Sequence, residues 1–216
     1  MKIISFSLWG DNPVYTTGAL KNAELARIIY PGWICRYYVG SDTPDEIIKL
    51  LRSFDHVQVV ETKHGGGAAL GTMWRFEAAS DPLVDVMISR DCDSRLNLRE
   101  KEAVDEWLSS DKAFHIMRDH PYHGTEILGG MWGCKYPILK DMKDFIKDYT
   151  KGDFWQVDQN FLREVVYGKV RENALVHDEF FENKPFPSRR KDKHFVGMAY
   201  NQDDMPLHPE HMEMIP

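Results

Sequence analysis

The sequence has 216 residues, 43% of them hydrophobic and 12% aromatic, and a formal net charge of −7. This composition predicts a globular chain with a sizeable core, and its acidic balance excludes a protein whose main task is to coat nucleic acid or an anionic membrane. The three cysteines have no CxxC spacing, which excludes a zinc ribbon and a disulfide framework. The sequence has no signal segment and no 18-residue apolar run, so we expect a soluble cytoplasmic chain.

Strand and helix patterns alternate in the first part of the chain. The predicted strands span residues 3–9, 34–39, 57–60 and 84–89. The predicted helices span residues 19–30, a segment that starts at residue 43, and residues 73–79. Between them, loop 63–71 contains three consecutive glycines, which permit unusual backbone angles or a close ligand. This alternation predicts a mostly parallel α/β sheet with right-handed crossovers.

The rhythm changes after residue 96. Helices are predicted over residues 98–108, 138–149 and 157–166, and strands over residues 114–117, 131–136 and 174–176. The remainder is irregular, rich in Pro, Lys and Arg, and is expected to have no terminal helix. Because no repeat or linker interrupts the sequence, we expect one domain over residues 1–216.

Asp91 and Asp93 directly follow the fourth predicted strand. In extended geometry residues i and i+2 point to the same side, with Cα atoms roughly 6.5 Å apart, so both carboxylates can address one divalent cation. Oxygen ligands favour Mg²⁺ or Mn²⁺. The alternative is that Asp91 begins a turn and Asp93 caps the next helix. The strand-end position and the flanking Arg90 and Arg95 favour a metal site.

Two later segments carry further polar candidates. His177 ends a short apolar stretch, and Lys184 and a basic tail follow, so an imidazole ligand and phosphate-binding cations are available there. The alternative is a strand-end histidine beside a solvated tail. Asp158 and Gln159 lie in the first turn of a predicted helix, opposite its apolar face, although a helix N-terminus alone favours an acidic residue.

Aromatic and histidine residues complete the candidates. Trp132, in the segment GGMWG, and Trp155 can each offer a flat apolar face to a sugar ring. A zinc site at histidines 115, 120 and 123 would need a further ligand at suitable spacing, which the sequence does not supply.

Taken in order, these features resemble the GT-A glycosyltransferases, which move a sugar from a nucleotide diphosphate donor to an acceptor. The matching segments are IISFSLWG at the first strand, DCD at 91–93, GGMWG at 129–133, VDQNFL at 157–162 and HDEFFENKPFP at 177–187. The chain is most similar to small transferases that build surface glycans in bacteria and large DNA viruses, including algal viruses. The resemblance implies one GT-A domain, with a nucleotide-sugar-binding half (1–96) and an acceptor-binding half (97–216), in the cytoplasm, or in the host cytoplasm if viral.

The resemblance also implies an activity: Mn²⁺- or Mg²⁺-dependent transfer of a hexose or deoxyhexose from a UDP-sugar or related donor to a glycan or glycoprotein, with retention. Implied metal ligands are Asp91, Asp93 and His177, and implied catalytic residues are Asp91, Asp158 and Gln159. The implied donor-binding residues are Ser7, Leu8, Trp9, Gly10, Tyr15, Arg75, Asp91, Cys92, Asp93 and Lys184. Among them, Cys92 is a spacer that faces away from the metal. Implied acceptor residues are Arg118, Asp119, His120, Trp132 and Trp155.

Two alternatives remain at the level of the sequence. A non-catalytic nucleotide-sugar or glycan-binding module needs the same cavity without turnover. A haloacid dehalogenase-type phosphohydrolase would use Asp91 as a covalent nucleophile. That family usually places its acidic motif near the N-terminus, whereas about ninety residues precede it here.

Overall fold

The computed structural model describes residues 1–63, 65, 70–152, 154 and 156–216. Seven strands form one sheet in the order β3-β2-β1-β4-β6-β5-β7. They are β1 (Lys2–Leu8), β2 (Ile34–Val39), β3 (Val57–Glu61), β4 (Val86–Ser89), β5 (Phe114–Arg118), β6 (Trp132–Lys135) and β7 (Ala174–Asp178). All neighbouring pairs are parallel except the two made by β6, which is antiparallel to β4 and β5. The predicted mostly parallel α/β sheet is therefore confirmed.

Helices flank this sheet. They are α1 (Pro13–Ile29), α2 (Asp45–Arg52), α3 (Leu98–Ser109), α4 (Met142–Asp148), α5 (Val157–Phe161), α6 (Gly168–Val170) and α7 (Pro209–Glu213). Two 3₁₀ segments, Leu70–Ser80 and Arg171–Asn173, and a π-helical turn, Leu162–Tyr167, complete the helical elements. Within the described part of the chain, no helix combines the length and apolar character needed to cross a membrane.

Three predicted elements differ from the structure. Helix α1 begins at Pro13 instead of residue 19, because the Asn12 side chain accepts a hydrogen bond from the Val14 amide at 3.0 Å and Pro13 suits the first helical position. The helix expected over residues 73–79 is the 3₁₀ segment. The C-terminal region, expected to have no terminal helix, contains α7.

The polar face of β1 fixes the position of the 3₁₀ segment. Ser5 and Ser7 are buried on β1; the Ser5 hydroxyl donates to the Arg75 carbonyl at 2.6 Å, and the Arg75 amide donates to the Ser7 hydroxyl at 3.0 Å. On the other face, Ile4, Phe6 and Leu8 belong to the apolar cluster that includes the buried side of α1. These contacts hold Arg75 beside the carboxyl end of β1.

Candidate active site

A cavity of about 500 Å³ opens where β1 and β4 end. Ligands of open α/β sheets bind at this edge, because the crevice there is shaped by the loops that leave the strands. The described residues that line it are Ser7, Leu8, Trp9, Tyr15, Thr72, Arg75, Asp91, Asp93, Gln156, Asp158, Gln159, Gly197 and Ala199. Nine of the residues predicted for donor binding or catalysis are among them.

Arg75 joins the two acidic parts of this cavity. Its buried guanidinium donates to the Asp91 carboxylate and to the Arg90 carbonyl, the latter at 3.2 Å, and its second terminal nitrogen lies 3.3 Å from Asp158 Oδ2. Its Nε has no hydrogen-bond partner among the described residues. Arg75 therefore holds the loop after β4 and the start of α5 together, although they are 67 residues apart in sequence (158 − 91).

Two glycines in the turn before β6 allow the acidic side chains to approach the backbone closely. A Cβ atom on Gly130 would lie 1.9 Å from Asp91 Oδ2, and one on Gly129 would lie 2.4 Å from Asp158 Oδ2. The Gly129 carbonyl also accepts a hydrogen bond from the Ser89 hydroxyl at 2.7 Å. In the segment GGMWG it is therefore the glycine pair that forms the site, since any side chain there would displace a carboxylate.

The carboxylates of the cavity repel one another. Burial and the charge of Asp91 raise the pKa of Asp93 to about 6. Burial also raises the pKa of Asp158, with Asp91 adding to the effect and Arg75 opposing it. Burial, followed by the charges of Asp93 and Asp91, raises the pKa of Tyr15. Among the described residues that line the cavity there are three carboxylates and one guanidinium, so this lining has a surplus of negative charge that a cation would offset.

A divalent cation fits this donor set. Asp91 keeps 41% of its side chain exposed toward the cavity, and Asp93 lines the cavity two residues later. Oxygen-only donors suit Mg²⁺ or Mn²⁺ better than softer ions. The alternative role of Asp93 as a helix cap does not apply, because Asn97 caps α3 by accepting a hydrogen bond from the Glu100 amide at 3.0 Å.

The C-terminal segment forms the opposite wall of the cavity. The Tyr200 amide donates to the Asp93 carbonyl at 2.8 Å, and Ser94 and Ala199 form an isolated bridge. Arg95 links the two sides: its Nε lies 2.9 Å from Asp204 Oδ1, and its Nη1 donates to the Ser94 carbonyl at 3.0 Å. The acidic pair is thus held by contacts to residues more than one hundred positions away.

Comparison with known proteins bears on the fold. No protein-family model matches the chain, and no curated protein sequence matches it either. A glycosyltransferase involved in the glycosylation of the major capsid of PBCV-1 has a TM-score of 0.59 and 19% identity, over 99% of this chain and 98% of that one. The mannosyltransferase PcManGT from Pyrobaculum calidifontis, in complex with GDP-Man and Mn²⁺, has a TM-score of 0.54 and 12% identity, over 82% of this chain and 55% of that one. The chain has the GT-A fold.

The GT-A fold does not by itself fix the reaction. The 4-diphosphocytidyl-2C-methyl-D-erythritol synthase from Anaerococcus prevotii is also similar, with a TM-score of 0.51 and 11% identity, over 87% of this chain and 92% of that one. The synthase is named for a diphosphocytidyl product, whereas the two enzymes above are named for the transfer of a sugar. The chemistry must therefore be argued from the side chains of the cavity.

Four cavity residues were not predicted from the sequence: Thr72, Gln156, Gly197 and Ala199. Gln156 has a positive φ of 66° directly before α5, an uncommon backbone conformation for a residue with a side chain. Neither its type nor its neighbours signal this in the sequence. Gly197 and Ala199 reach the site through the bridge to Ser94, which only the folded chain creates.

The prediction that His177 is a metal ligand has to be corrected. His177 lies on β7, the edge strand, which β6 and β5 separate from β4. Its Nδ1 shares a hydrogen bond of 2.8 Å with His115 Nε2, and its ring packs against Phe186 at 5.4 Å between centroids. It is buried and does not line the cavity of Asp91 and Asp93. The alternative reading, a strand-end histidine, describes it correctly.

Lys184 and Trp132 also lie away from the cavity. Lys184 pairs with Glu182 at 2.6 Å and borders a separate groove beside β7, so its predicted contact with a departing diphosphate does not agree with its position. Trp132 is fully buried, stacked on Phe114 at 5.4 Å, and cannot offer a face to a sugar. Two further residues, Cys92 and Gly10, were predicted for the donor site. The Cys92 thiol donates to the Ser7 carbonyl at 3.3 Å. Gly10, just beyond β1, has a positive φ of 65°.

The predicted acceptor residues Arg118, Asp119 and His120 are tied into the protein interior. Arg118 Nε lies 2.6 Å from Asp178, and Asp119 receives two hydrogen bonds of 3.0 Å from Arg99. The His120 ring donates to the His211 carbonyl at 2.9 Å. All three are buried, so an acceptor role for them is corrected to a structural one. Trp155 lies outside the described residues.

Proposed function

We propose that the chain is a metal-dependent glycosyltransferase with retention of configuration. It moves a hexose or deoxyhexose from a nucleotide-diphosphate sugar, with a UDP-sugar favoured, to a glycan or glycoprotein acceptor. The observation that carries this proposal is the single cavity where Asp91, Asp93, Arg75, Asp158 and Gln159 meet at the carboxyl edge of a GT-A sheet. The two similar structures that are named as glycosyltransferases support the same reaction class.

The donor nucleotide is proposed to lie along the end of β1. Ser7, Leu8 and Trp9 line the cavity there, and the 42% exposed Tyr15 offers a ring on which a base can stack. Trp9 is braced edge-on by Trp74 at 6.0 Å between ring centroids. A rigid aromatic wall of this kind binds a flat ring with little loss of side-chain entropy.

Asp91 and Asp93 are proposed to hold Mn²⁺ or Mg²⁺, which when bound would stabilise the negative charge on the diphosphate. His194 replaces His177 as the proposed third ligand. It is exposed, and its Nδ1 lies 2.8 Å from the Tyr200 hydroxyl, in the residue whose amide contacts the Asp93 carbonyl. The Mn²⁺ in the PcManGT complex is consistent with a divalent ion at a site of this fold.

The protein side chains then position the transfer. Arg75 keeps Asp91 and Asp158 in place, and Asp158 and Gln159 face the space next to the acidic pair. In a front-face reaction the bond from the anomeric carbon to the diphosphate oxygen breaks with its electron pair. The acceptor oxygen bonds to that carbon on the same face and gives its proton to the departing diphosphate. Asp158 is proposed as a polar group beside the reacting carbon that favours its positive charge.

The division of the chain into a donor half (1–96) and an acceptor half (97–216) stays a proposal, as does the cytoplasmic location. The cavity itself takes side chains from both halves, since Gln156, Asp158 and Gln159 lie beyond residue 96. We therefore propose that the acceptor enters from the side of α5, next to the donor and not in a separate cleft.

The experiment that tests this function is a binding and turnover screen of UDP-, GDP-, ADP- and dTDP-sugars, with Mn²⁺ or with a chelator. We expect one donor class to raise the melting temperature only with Mn²⁺, because a ligand that binds the native state stabilises it by mass action. Release of the nucleoside diphosphate with a glycan acceptor, and an unchanged anomeric configuration by NMR, would support retaining transfer. Equal binding with chelator present would contradict the metal assignment.

The same screen separates the alternatives. Donor binding without turnover would favour a binding module. Pyrophosphate release from a nucleoside triphosphate would favour nucleotidyl transfer, which the likeness to the synthase keeps in view. The haloacid dehalogenase reading finds no support in a GT-A fold, where Asp91 is engaged by Arg75.

A further inference from the structure

Three potential metal ligands cluster around α7, apart from the cavity. His208, Glu210 and His211 each offer one ligand atom, and these atoms all lie within 4.8 Å of one another. His208 Nδ1 is 3.3 Å from Glu210 Oε1, and the two imidazole rings are stacked with their centroids 4.9 Å apart. Neither the sequence motifs nor the proposed glycosyl transfer uses any of these three residues.

The donor set of this cluster differs in kind from that of the acidic pair. Two imidazole nitrogens and one carboxylate suit Zn²⁺ and similar borderline ions, whereas Mg²⁺ prefers oxygen alone. The backbone carbonyl of His211, and not its ring, accepts the hydrogen bond from His120. Among the described residues the ring nitrogens of His211 have no hydrogen-bond partner, so they remain available to an ion.

Helix α7 also packs on the segment that forms a wall of the cavity. Ile215 and Met212 belong to a small apolar cluster with Phe195 and Met198, and Gly197, between the last two, lines the cavity. The ring of His120 packs on Phe195, with the centroids 4.3 Å apart, and on His211 at 5.3 Å. The position of α7 is thus coupled through direct contacts to the wall formed by residues 195–199.

We propose that His208, Glu210 and His211 bind Zn²⁺ or a similar transition-metal ion, which fixes the first turn of α7 and thereby steadies the cavity wall. A helix of five residues has little stability of its own, and an ion that ties two of its side chains, Glu210 and His211, to His208 at its N-cap offsets part of its ordering cost. This inference does not depend on the proposed transferase activity, because the cluster and the acidic pair share no residue.

The test is a Zn²⁺ titration of the untagged full chain at pH 7.5, with millimolar Mg²⁺ present to occupy oxygen-ligand sites. In the Asp93→Asn variant, whose donor site is weakened, we expect one Zn²⁺ to bind, and His208→Ala or His211→Ala added to it to weaken that affinity by at least about 10-fold. Glu213→Gln, on the same helix and outside the cluster, is the matched control and keeps wild-type affinity. Asp93→Asn keeps Zn²⁺ affinity as well, which separates this site from the donor site.

A second measurement tests the coupling to the cavity wall. Hydrogen exchange of the amides in residues 194–200 is expected to slow when Zn²⁺ is added to the wild type, and to stay unchanged in His211→Ala. Zn²⁺ affinity equal to wild type in His208→Ala and His211→Ala would overturn the site. Weakened affinity in both variants, with no change in exchange for the wild type, would overturn its role in steadying the wall.

Discussion

Charged side chains gather at two places where strands of this sheet end, and the two groups differ in their balance of charge. At the end of β4, Asp91, Asp93 and Asp158 line an open cavity, and Arg75 is the one basic residue among the described residues that line it. At the ends of β5 and β7, four acidic residues meet four basic ones. We call this second group the balanced cluster: Asp119, Asp178, Glu179, Glu182, Arg99, Arg118, Arg190 and Lys184.

The pKa values follow this balance. Burial raises the pKa of Asp178, but the amides of Phe181 and Phe180 and the Arg118 guanidinium outweigh it, so the pKa lies below its ordinary value. In the cavity, burial and a neighbouring carboxylate raise the pKa of Asp93 to about 6. Strand-end charges that are mutually neutralised stabilise the fold, whereas strand-end charges left in surplus beside a cavity can bind a cation. The following variants test that distinction.

The largest expected effect is on stability, in the balanced cluster. Asp119→Asn removes the fully buried carboxylate that pairs with both Arg99 and Arg190. Arg99 keeps its pair with Glu179, whereas the mostly buried Arg190 loses the ion-pair partner that it has among the described residues. We expect the free energy of unfolding to fall by about 3–5 kcal/mol, measured by urea denaturation. Asp105→Asn, which breaks an exposed pair with Lys101, is the control and should change it by less than about 1 kcal/mol. A similar small effect for both variants would contradict the structural role of Asp119.

Asp93→Asn is expected to weaken ligand binding more than stability, because the carboxylate that it removes is part of the surplus negative charge of the cavity. We expect Mn²⁺-dependent affinity for UDP to fall by about 100-fold or more, as for loss of a metal ligand, with little loss of stability. Isothermal titration calorimetry with and without Mn²⁺ measures the affinity for UDP, and urea denaturation measures the stability. Unchanged Mn²⁺-dependent affinity would show that Asp93 does not hold the metal.

A smaller effect concerns pH. Burial, followed by the charges of His120 and His211, lowers the pKa of His123 from its ordinary value of 6.5 to about 3. Between these two pH values the unfolded chain binds a proton that the folded chain does not, so stability falls as the pH falls from 6.5 toward 3. The contribution of this residue is about 2 kcal/mol between pH 7 and pH 5.

His123→Asn keeps an acceptor where His123 Nδ1 receives the Asp119 amide at 3.1 Å, and removes the titration. The free energy of unfolding of this variant should therefore depend less steeply on pH between 7 and 5 than that of the wild type. Identical slopes would mean that His123 is not held neutral in the folded chain.

The smallest effect is expected for Lys184→Ala. The side chain is half exposed, pairs with Glu182 at the rim of the balanced cluster, and lies away from the cavity. We expect less than about 0.5 kcal/mol in stability and no measurable change in UDP affinity. Loss of UDP affinity in this variant would restore the sequence-based prediction that Lys184 contacts the diphosphate.

Several residues singled out in the sequence lie together in the folded chain. Short patterns indicated the acidic pair after β4 and the Asp158-Gln159 step, the resemblance implied Arg75, and all of them line one cavity. The prediction failed where a residue's role depends on distant partners. His177 has the residue type of a metal ligand, yet pairing with His115 gives it a place in the interior. In the segment GGMWG, Trp132 was predicted to contact a sugar, whereas Gly129 and Gly130 are the residues that contact the carboxylates of the cavity.

By itself, the sequence determined the strands, most of the helices and the position of the acidic pair, because hydrophobic periodicity and turn residues act over a few neighbouring positions. Tertiary structure decided which charges are neutralised. The partners of Asp119 lie twenty and seventy-one residues away, and those of Asp91 and Asp158 meet at Arg75 only when β1, the 3₁₀ segment and α5 pack together. A surplus of charge is a property of that packing, so only the folded chain distinguishes the cavity from the balanced cluster.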